Sequence, residues 1–304
     1  MTGQQADLTP SGTDPVDWLE RLRRYALLVR LNRPIGILLL LWPTLWALWI
    51  AGMGRPAWEI VLVFIAGVAL MRSAGCAIND YADRNFDAHV ARTSGRPIAV
   101  GLVTPAEALG VFIVLSLIAA SLLFFLNWPT RFMSVVALLL TAVYPFMKRY
   151  THLPQVVLGA AFGWAVPMAF MALNETVPPV AWLLFSSALI WALIYDTQYA
   201  MVDRDDDLKI GVKSSAILFG RHDRLIIALL QLTMIVLLIF TGYLVGLGHY
   251  YYLGVAAGIA LFGYQQWLIR LREPRACFQA FLNNNQFGMV IFVGLVADYL
   301  AAVY

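Results

Sequence analysis

The stretch Ala77-Ile78-Asn79-Asp80-Tyr81-Ala82-Asp83-Arg84-Asn85-Phe86-Asp87 closes one long apolar run, and Asp196-Thr197-Gln198-Tyr199-Ala200-Met201-Val202-Asp203-Arg204-Asp205-Asp206-Asp207 closes another. Asn79, Asp83 and Asp87 fall four residues apart, which predicts three oxygen-bearing side chains stacked on one helix face. Asp203 and Asp207 repeat the interval, each 120 positions after its counterpart. Asp196 lies about two turns deeper, roughly 10 Å, and an ionisable group at that depth in an apolar helix marks a functional site. Stacked like charges destabilise an isolated helix by about 0.2–0.5 kcal/mol a pair, so a cation is expected among them. Donors that are all oxygen point to Mg²⁺, which takes one or two carboxylates and completes its shell with water and substrate phosphates.

The residues around these runs make the chain an all-α, polytopic integral membrane protein. Hydrophobic residues are 61% of it and charged residues 13%, with a mean hydropathy of +0.74, whereas soluble domains carry about a quarter charged residues. Nine apolar stretches, near 35–53, 58–78, 106–127, 131–147, 153–173, 180–200, 225–247, 250–269 and 287–303, approach the ~20 residues a spanning helix needs. They predict nine transmembrane helices around a central cavity in one domain, 35–304. Residues 1–34 form a cytoplasmic tail and amphipathic helix. Within them 1–13 is polar and expected to be disordered, and Asp14-Pro15-Val16-Asp17 reads as a helix start. Trp18, Leu22, Tyr25 and Val29 then make an apolar stripe with Arg21, Arg23 and Arg24 off it, suited to lying on a membrane surface or packing on the bundle. The first 34 residues lack the apolar core of a cleavable signal peptide. A net charge of +3 without a continuous basic stripe excludes a nucleic-acid partner. Cys76 and Cys277 lack metal-type spacing and are expected to be free thiols.

Charge orients the helices. Of 21 Lys and Arg, Arg55 and Arg131 alone fall in turns on one side, Arg72 is embedded, and the rest gather on the other. The positive side is the cytoplasmic one, which places the N-terminus and both acidic runs there. Four spans separate the runs, so an internal repeat would keep its direction and have its axis along the membrane normal. Basic residues accompany the acids: Arg72 two turns before Asn79, Lys148 and Arg149 at the end of the fourth span, and Arg92 and Arg96 in the loop after the first run. Metal-bridging carboxylates with Lys and Arg donors are what a diphosphate leaving group requires. Trp42, Trp46 and Trp49, with Tyr144, Tyr195 and Tyr199, fit interface belts and packing, or alternatively an aromatic groove for a lipid chain. Asp298 reads as an interface residue, and Asn283-Asn284-Asn285 as a cap on the last span.

The two acidic runs, with Arg92, Arg96-Pro97 and Gly211-Val212-Lys213-Ser214, resemble the UbiA-type intramembrane prenyltransferases. Arg33-Pro34-Ile35-Gly36, Leu41-Trp42-Pro43-Thr44-Leu45-Trp46 and Tyr144-Pro145-Phe146-Met147-Lys148-Arg149-Tyr150-Thr151 resemble the branch acting on 4-hydroxybenzoate. The resemblance runs from Arg33 to the last span. It implies a bacterial inner-membrane enzyme that transfers a polyprenyl group from polyprenyl diphosphate to the 3-position of 4-hydroxybenzoate, with Mg²⁺, in ubiquinone synthesis. Asn79, Asp83, Asp87, Asp196, Asp203 and Asp207 would then serve Mg²⁺ and diphosphate. Arg72, Tyr144, Lys148, Arg149, Arg92 and Arg96 would contact diphosphate or the aromatic acid, with Arg33 a further carboxylate partner. The alternatives are a prenyltransferase with another aromatic or haem acceptor, and an ion-coupled transporter, which would favour acids near the bilayer middle.

Overall fold

The computed structural model describes residues 18–85, 87, 93–211 and 213–302, with the side chains of Lys148 and Ile210 outside that set. The tail 1–17 and its expected helix start therefore lie outside the described residues. Among those described, the regular structure is helical throughout. Helix α1 (Trp18–Leu28) is followed by α2 (Ile35–Ala51), α3 (Trp58–Asp83), α4 (Pro105–Leu122), α5 (Trp128–Val143), α6 (Pro154–Gly163) and α7 (Ala165–Asn174). Then come α8 (Pro179–Ile210), α9 (Ser215–Phe219), α10 (Asp223–Val245), α11 (His249–Leu268) and α12 (Pro274–Ala301).

All nine expected stretches fall on helical backbone, with altered ends. Among the described residues, seven runs are long and apolar enough to cross a membrane; α2 is apolar but shorter, at 17 residues, and α11 is not one of the seven. The run expected at 153–173 is two helices, α6 and α7, meeting at Trp164. The second acidic run prolongs α8 to 32 residues, and Gly211, in the left-handed region at φ 71°, ends it. Helix starts recur at a near-constant offset: α3, α4, α5 and α6 begin at 58, 105, 128 and 154, and α8, α10, α11 and α12 at 179, 223, 249 and 274. The repeat seen in the acids thus extends to the helices that carry them.

Local chemistry sets these ends. Thr104 and Glu107 form a reciprocal capping box at α4, with Pro105 at its first position, which satisfies two orphan N–H groups. Asn127 caps α5 through Thr130 N and reaches Met171 O at the end of α7, so one side chain joins two helix ends. Asp298, expected at an interface, is buried instead and accepts from Gly248 N (2.6 Å) and Tyr250 N (3.2 Å). It caps α11 from a neighbouring helix, a distant pairing that local sequence does not signal.

The last helix starts at Pro274, well before its apolar part, so Asn283, Asn284 and Asn285 lie inside α12 and cap nothing. Their amides join a buried network. Gln265 Oε1 accepts from Gln198 Nε2 (3.0 Å) and Gln231 Nε2 (3.1 Å), and Gln265 Nε2 donates to Asn283 Oδ1 (3.0 Å). Asn284 Nδ2 donates to Gln198 Oε1 (2.8 Å), while Trp191 Nε1 donates to Asn284 Oδ1 and Trp42 Nε1 to Asn285 Oδ1. An unpartnered polar group costs several kcal/mol in hydrocarbon, so this network fixes the register of α8, α10, α11 and α12. Trp42 and Trp46 are thereby committed to packing on α12, Trp46 through Gly288 O. Outward, α10 shows Leu225, Leu229, Leu232 and Val236, each more than half exposed, as suits helices whose solvent is lipid.

Helices α11 and α12 approach through glycines. A Cβ on Gly294 would fall 2.8 Å from Tyr250 O, and one on Gly254 2.7 Å from Val290 O, the small-residue contact that lets membrane helices pack closely. Gly294→Val is predicted to lower stability by about 1–3 kcal/mol through overpacking. Gly110→Ala in α4, where the added Cβ meets open space, should hold or raise it by up to about 1 kcal/mol. Thermal midpoints of the two variants in one detergent check the contrast.

Candidate functional site

Helix α3 presents Arg72, Cys76, Asn79 and Asp83 along one face, as four- and three-residue steps require. Asn79 Nδ2 donates to Asp83 Oδ2 at 3.2 Å, and Tyr144 Oη donates to Asn79 Oδ1 at 3.4 Å. The helix ends at Asp83, so Asp87 is not one turn further along it as the spacing predicts. Asp87 lies beyond the end of α3, and its carbonyl accepts from Thr93 Oγ1 at 2.8 Å. Arg96 then brings it back to the helix. The Arg96 Nη1 atom stands 2.9 and 2.7 Å from the two Asp87 oxygens, 3.2 Å from Asp80 Oδ1 and 3.8 Å from Asp83 Oδ2.

Asp80 is the residue that sequence reasoning missed. It points off the Asn79–Asp83 face, is 1% exposed, and also accepts from Arg30 Nη2 at 2.6 Å. Arg30, in a left-handed turn at φ 59° after α1, was likewise missed. The available signal was an aspartate beside Asn79 in a stretch too apolar to leave it unpaired. Burial holds the Asp87 carboxyl above the usual carboxylate range, against the pull of Arg96 beside it, with Asp83 adding to the rise.

The second run stays helical, and Asp196, Asp203 and Asp207 lie on one face of α8, all partly buried. The 3₁₀ segment Tyr144–Arg149 joins the two runs. Arg149 Nη2 donates to Ala82 O at 2.7 Å, at the end of α3, and Tyr150 O accepts from Lys213 Nζ at 3.4 Å, just beyond α8. Tyr144 and Tyr199 both lie within electrostatic reach of the Arg30 guanidinium, so residues of the 3₁₀ segment, of α8 and of the turn after α1 converge at one end of the bundle. Arg33 is exposed in the turn before α2. Arg92 and the side chain of Lys148 lie outside the described residues.

Behind the acids lies a cavity of about 310 Å³ between α2, α3, α4, α5, α6 and α7. Its walls are apolar, with Val68, Met71, Leu123 and Phe162 among them, and its polar end carries Arg72 and Tyr144. Arg72 donates to Cys76 Sγ and lies over the Phe162 ring at 6.0 Å, while its buried Nε has no partner among the described residues. Gly36 allows this, since a Cβ there would collide with the guanidinium. Val135 and Leu138 line the cavity and are also exposed on α5, so it reaches the lipid-facing surface. Both cysteines are buried and free.

Among the described residues, no group of three His, Cys, Asp or Glu side chains is placed to hold a metal ion. The donor chemistry still fits a hard divalent cation, because Mg²⁺ needs only one or two carboxylates besides phosphate and water. The guanidinium among Asp80, Asp83 and Asp87 marks where positive charge is required.

The sequence model of the UbiA prenyltransferase family matches residues 40–291. The 4-hydroxybenzoate octaprenyltransferase of Alkalilimnicola ehrlichii is 62% identical over 279 residues, covering 92% of this chain and 95% of its own. That of Nitrosococcus oceani is 61% identical over 283 residues, covering 93% and 99%. Among solved structures, the apo form of a UbiA homolog from Aeropyrum pernix superposes with a TM-score of 0.75 at 24% identity, covering 85% of this chain and 97% of that one. A UbiA homolog from Archaeoglobus fulgidus bound to GPP and Mg²⁺ superposes with a TM-score of 0.69 at 17% identity, covering 92% and 99%.

Asp80→Ala would leave Arg30 and Arg96 facing each other without their shared carboxylate. The predicted loss is about 2–3 kcal/mol, below the full range for a broken buried pair because Arg30 keeps some solvent. Arg96→Gln should cost at least as much, since Asp83 and Asp87 lose the guanidinium between them while Asp80 retains Arg30. Unfolding of both variants in detergent, followed by helical signal, compares them.

Proposed function

The chain belongs to the UbiA prenyltransferase family, and we propose that it joins the polyprenyl group of a polyprenyl diphosphate to the 3-position of 4-hydroxybenzoate, releasing diphosphate. The observation that carries this is the apolar cavity that ends in Arg72 and Tyr144, immediately behind Asn79 and Asp83. An amphiphile whose long apolar tail fills the cavity and whose charged head lies at Asn79 and Asp83 matches both parts at once. The tail occupies the cavity and leaves it past Val135 and Leu138 into lipid. Relatives about 60% identical over nearly the whole chain and named for this reaction support the assignment.

Asn79, Asp83 and Asp87 on one side, and Asp196, Asp203 and Asp207 on the other, are the groups that would hold Mg²⁺ with the diphosphate. When bound, Mg²⁺ supplies a Lewis acid that withdraws electrons from the departing diphosphate. Arg96 and Arg149, with Arg92 and Lys148, add donors to the same oxygens. Arg96 would have the freedom to do so with a metal bound, since Asp83 and Asp87 would then be neutralised without it. Arg72 receives the carboxylate of the aromatic acid through its open Nε donor, in a site dry enough to make that pair strong. Arg33, exposed beside Gly36, draws the acid inward. The allylic C–O bond breaks as electrons pass to diphosphate. A C–C bond forms at the ring carbon ortho to the hydroxyl, and the ring proton leaves to a carboxylate or to the released diphosphate. The apolar walls exclude water and so protect the allylic cation from hydrolysis. The cytoplasm is the side from which both the acid and Mg²⁺ arrive, and residues 1–34 serve as the tail and surface helix of a single membrane domain, 35–304.

Purified protein with Mg²⁺, a polyprenyl diphosphate and 4-hydroxybenzoate is predicted to form the 3-polyprenyl product with diphosphate in equal amounts. Asp83→Ala or Asp203→Ala should lower the rate at least about a hundredfold. Arg72→Gln should raise the KM for the aromatic acid about tenfold or more while diphosphate binding is kept. Diphosphate release without coupling to this acid by the wild-type protein would overturn the acceptor assignment.

A further inference from the structure

A second concavity, of about 340 Å³, opens at the same end of the bundle but between the start of α10 and the end of α11. Arg221, His222, Arg224 and Arg272 line it. The adjoining carboxylate, Asp223, is fully buried and already engaged. It accepts from Arg272 Nη2 at 2.7 Å, Arg272 Nε at 2.9 Å, Arg224 N at 2.6 Å and Arg204 Nη1 at 3.4 Å. The other acid on this loop, Glu273, is exposed at the start of α12. The basic groups are held in place: Arg272 Nη2 donates to Arg221 O at 2.9 Å, and Arg224 Nη1 to Arg270 O at 3.3 Å. Arg224 Nε is buried with no partner among the described residues. Buried donors seldom go unpaired in proteins, so a concave surface with surplus positive charge and an open N–H calls for an anion.

What adjoins the charge identifies the anion. Leu225, Ala228 and Gln266 complete the pocket, and Leu225 begins the stripe that continues through Leu229, Leu232 and Val236 along α10, 58%, 54%, 61% and 55% exposed. Steps of four, three and four residues keep these side chains on one helix face. A phosphate in the pocket therefore stands directly above an apolar track as long as an acyl chain. We propose that this pocket binds the headgroup phosphate of an anionic phospholipid, with the acyl chains along Leu225, Leu229, Leu232 and Val236. Basic pockets between membrane helices on the cytoplasmic side suit such headgroups. The site is separate from the substrate cavity and offers no free carboxylates for a metal. Arg204 connects it to the reaction end, because this residue follows Asp203 on α8 and bonds to both Asp223 and Gly220 O. An occupied pocket thus steadies the end of α8.

Native mass spectrometry of the full-length protein in neutral detergent, titrated with phosphatidylglycerol or phosphatidylcholine, tests the proposal. Phosphatidylglycerol is expected to bind about tenfold more tightly and to raise the thermal midpoint. Arg221→Gln should weaken its binding about fivefold and the Arg221→Gln/Arg224→Gln pair about twentyfold, one surface charge at a time. Phosphatidylcholine binding should stay unchanged, and millimolar inorganic phosphate should fail to displace the lipid. Arg55→Gln, at the opposite end of the bundle, serves as the control. Equal affinity for the two lipids, or unchanged phosphatidylglycerol affinity in the variants, would overturn it. Inorganic phosphate binding as tightly as the lipid would overturn the lipid assignment and leave an anion site. Should the double variant fail to fold, Arg221→Gln alone decides, since Arg221 is exposed and its side chain holds no other group among the described residues.

Discussion

Carboxylates at the end of an apolar helix must be neutralised where water cannot do it. Asp80, Asp83 and Asp87 lie within reach of one guanidinium, that of Arg96, and Asp80 takes Arg30 as well. At low dielectric each such pair interacts far more strongly than in water, and each unpaired charge is correspondingly costly. That constraint ties the turn after α1, the end of α3 and the loop carrying Arg96 into one unit. It also makes the unit receptive to a cation, because burial keeps Asp87 above the ordinary carboxylate range even with Arg96 beside it. A compact array of negative charge is therefore held by Arg96 and Arg30 at the end of α3.

The other half of the bundle solves a related problem with neutral groups. Gln198, one turn or less from Asp196 and Tyr199 on α8, is held by Gln265 and Asn284, and the network reaches α10 and α12 without any formal charge. Amides complementing one another in hydrocarbon set register, since a shifted helix would strand several donors at once. The acids of α8 are thereby aimed from behind, while those of α3 are aimed by salt bridges in front. The matching helix starts of the two halves place Asp83 and Asp203 at nearly the same position along α3 and α8.

Much of this was legible in the chain. The apolar runs, the paired acidic stretches and the charge bias specify a membrane bundle with its chemistry at one end, because period, length and composition are local properties. The UbiA family match agrees with the residues that carried the resemblance. Features that depend on distant pairing were not legible. Asp80 and Arg30 are 50 positions apart and meet only in the folded bundle. Asp298 caps a helix that begins about 50 positions earlier. Asn283 to Asn285 look like a cap because the polar start of α12 hides the true beginning of the helix at Pro274. Asp87 lies past the end of the helix that its spacing promised, bonded to Thr93 and Arg96 from further along the chain.

The central claim is that acids from α3 and α8 share one metal and diphosphate site. Electron paramagnetic resonance of Mn²⁺, substituted for Mg²⁺ and titrated with geranyl diphosphate present, reads that site without relying on turnover. Shared ligation predicts that Asp83→Asn and Asp203→Asn each weaken Mn²⁺ binding about tenfold or more, and that the metal binds poorly to either variant even at saturating diphosphate. Wild-type affinity retained in either single variant would mean that one acidic run alone holds the metal, and would contradict the account.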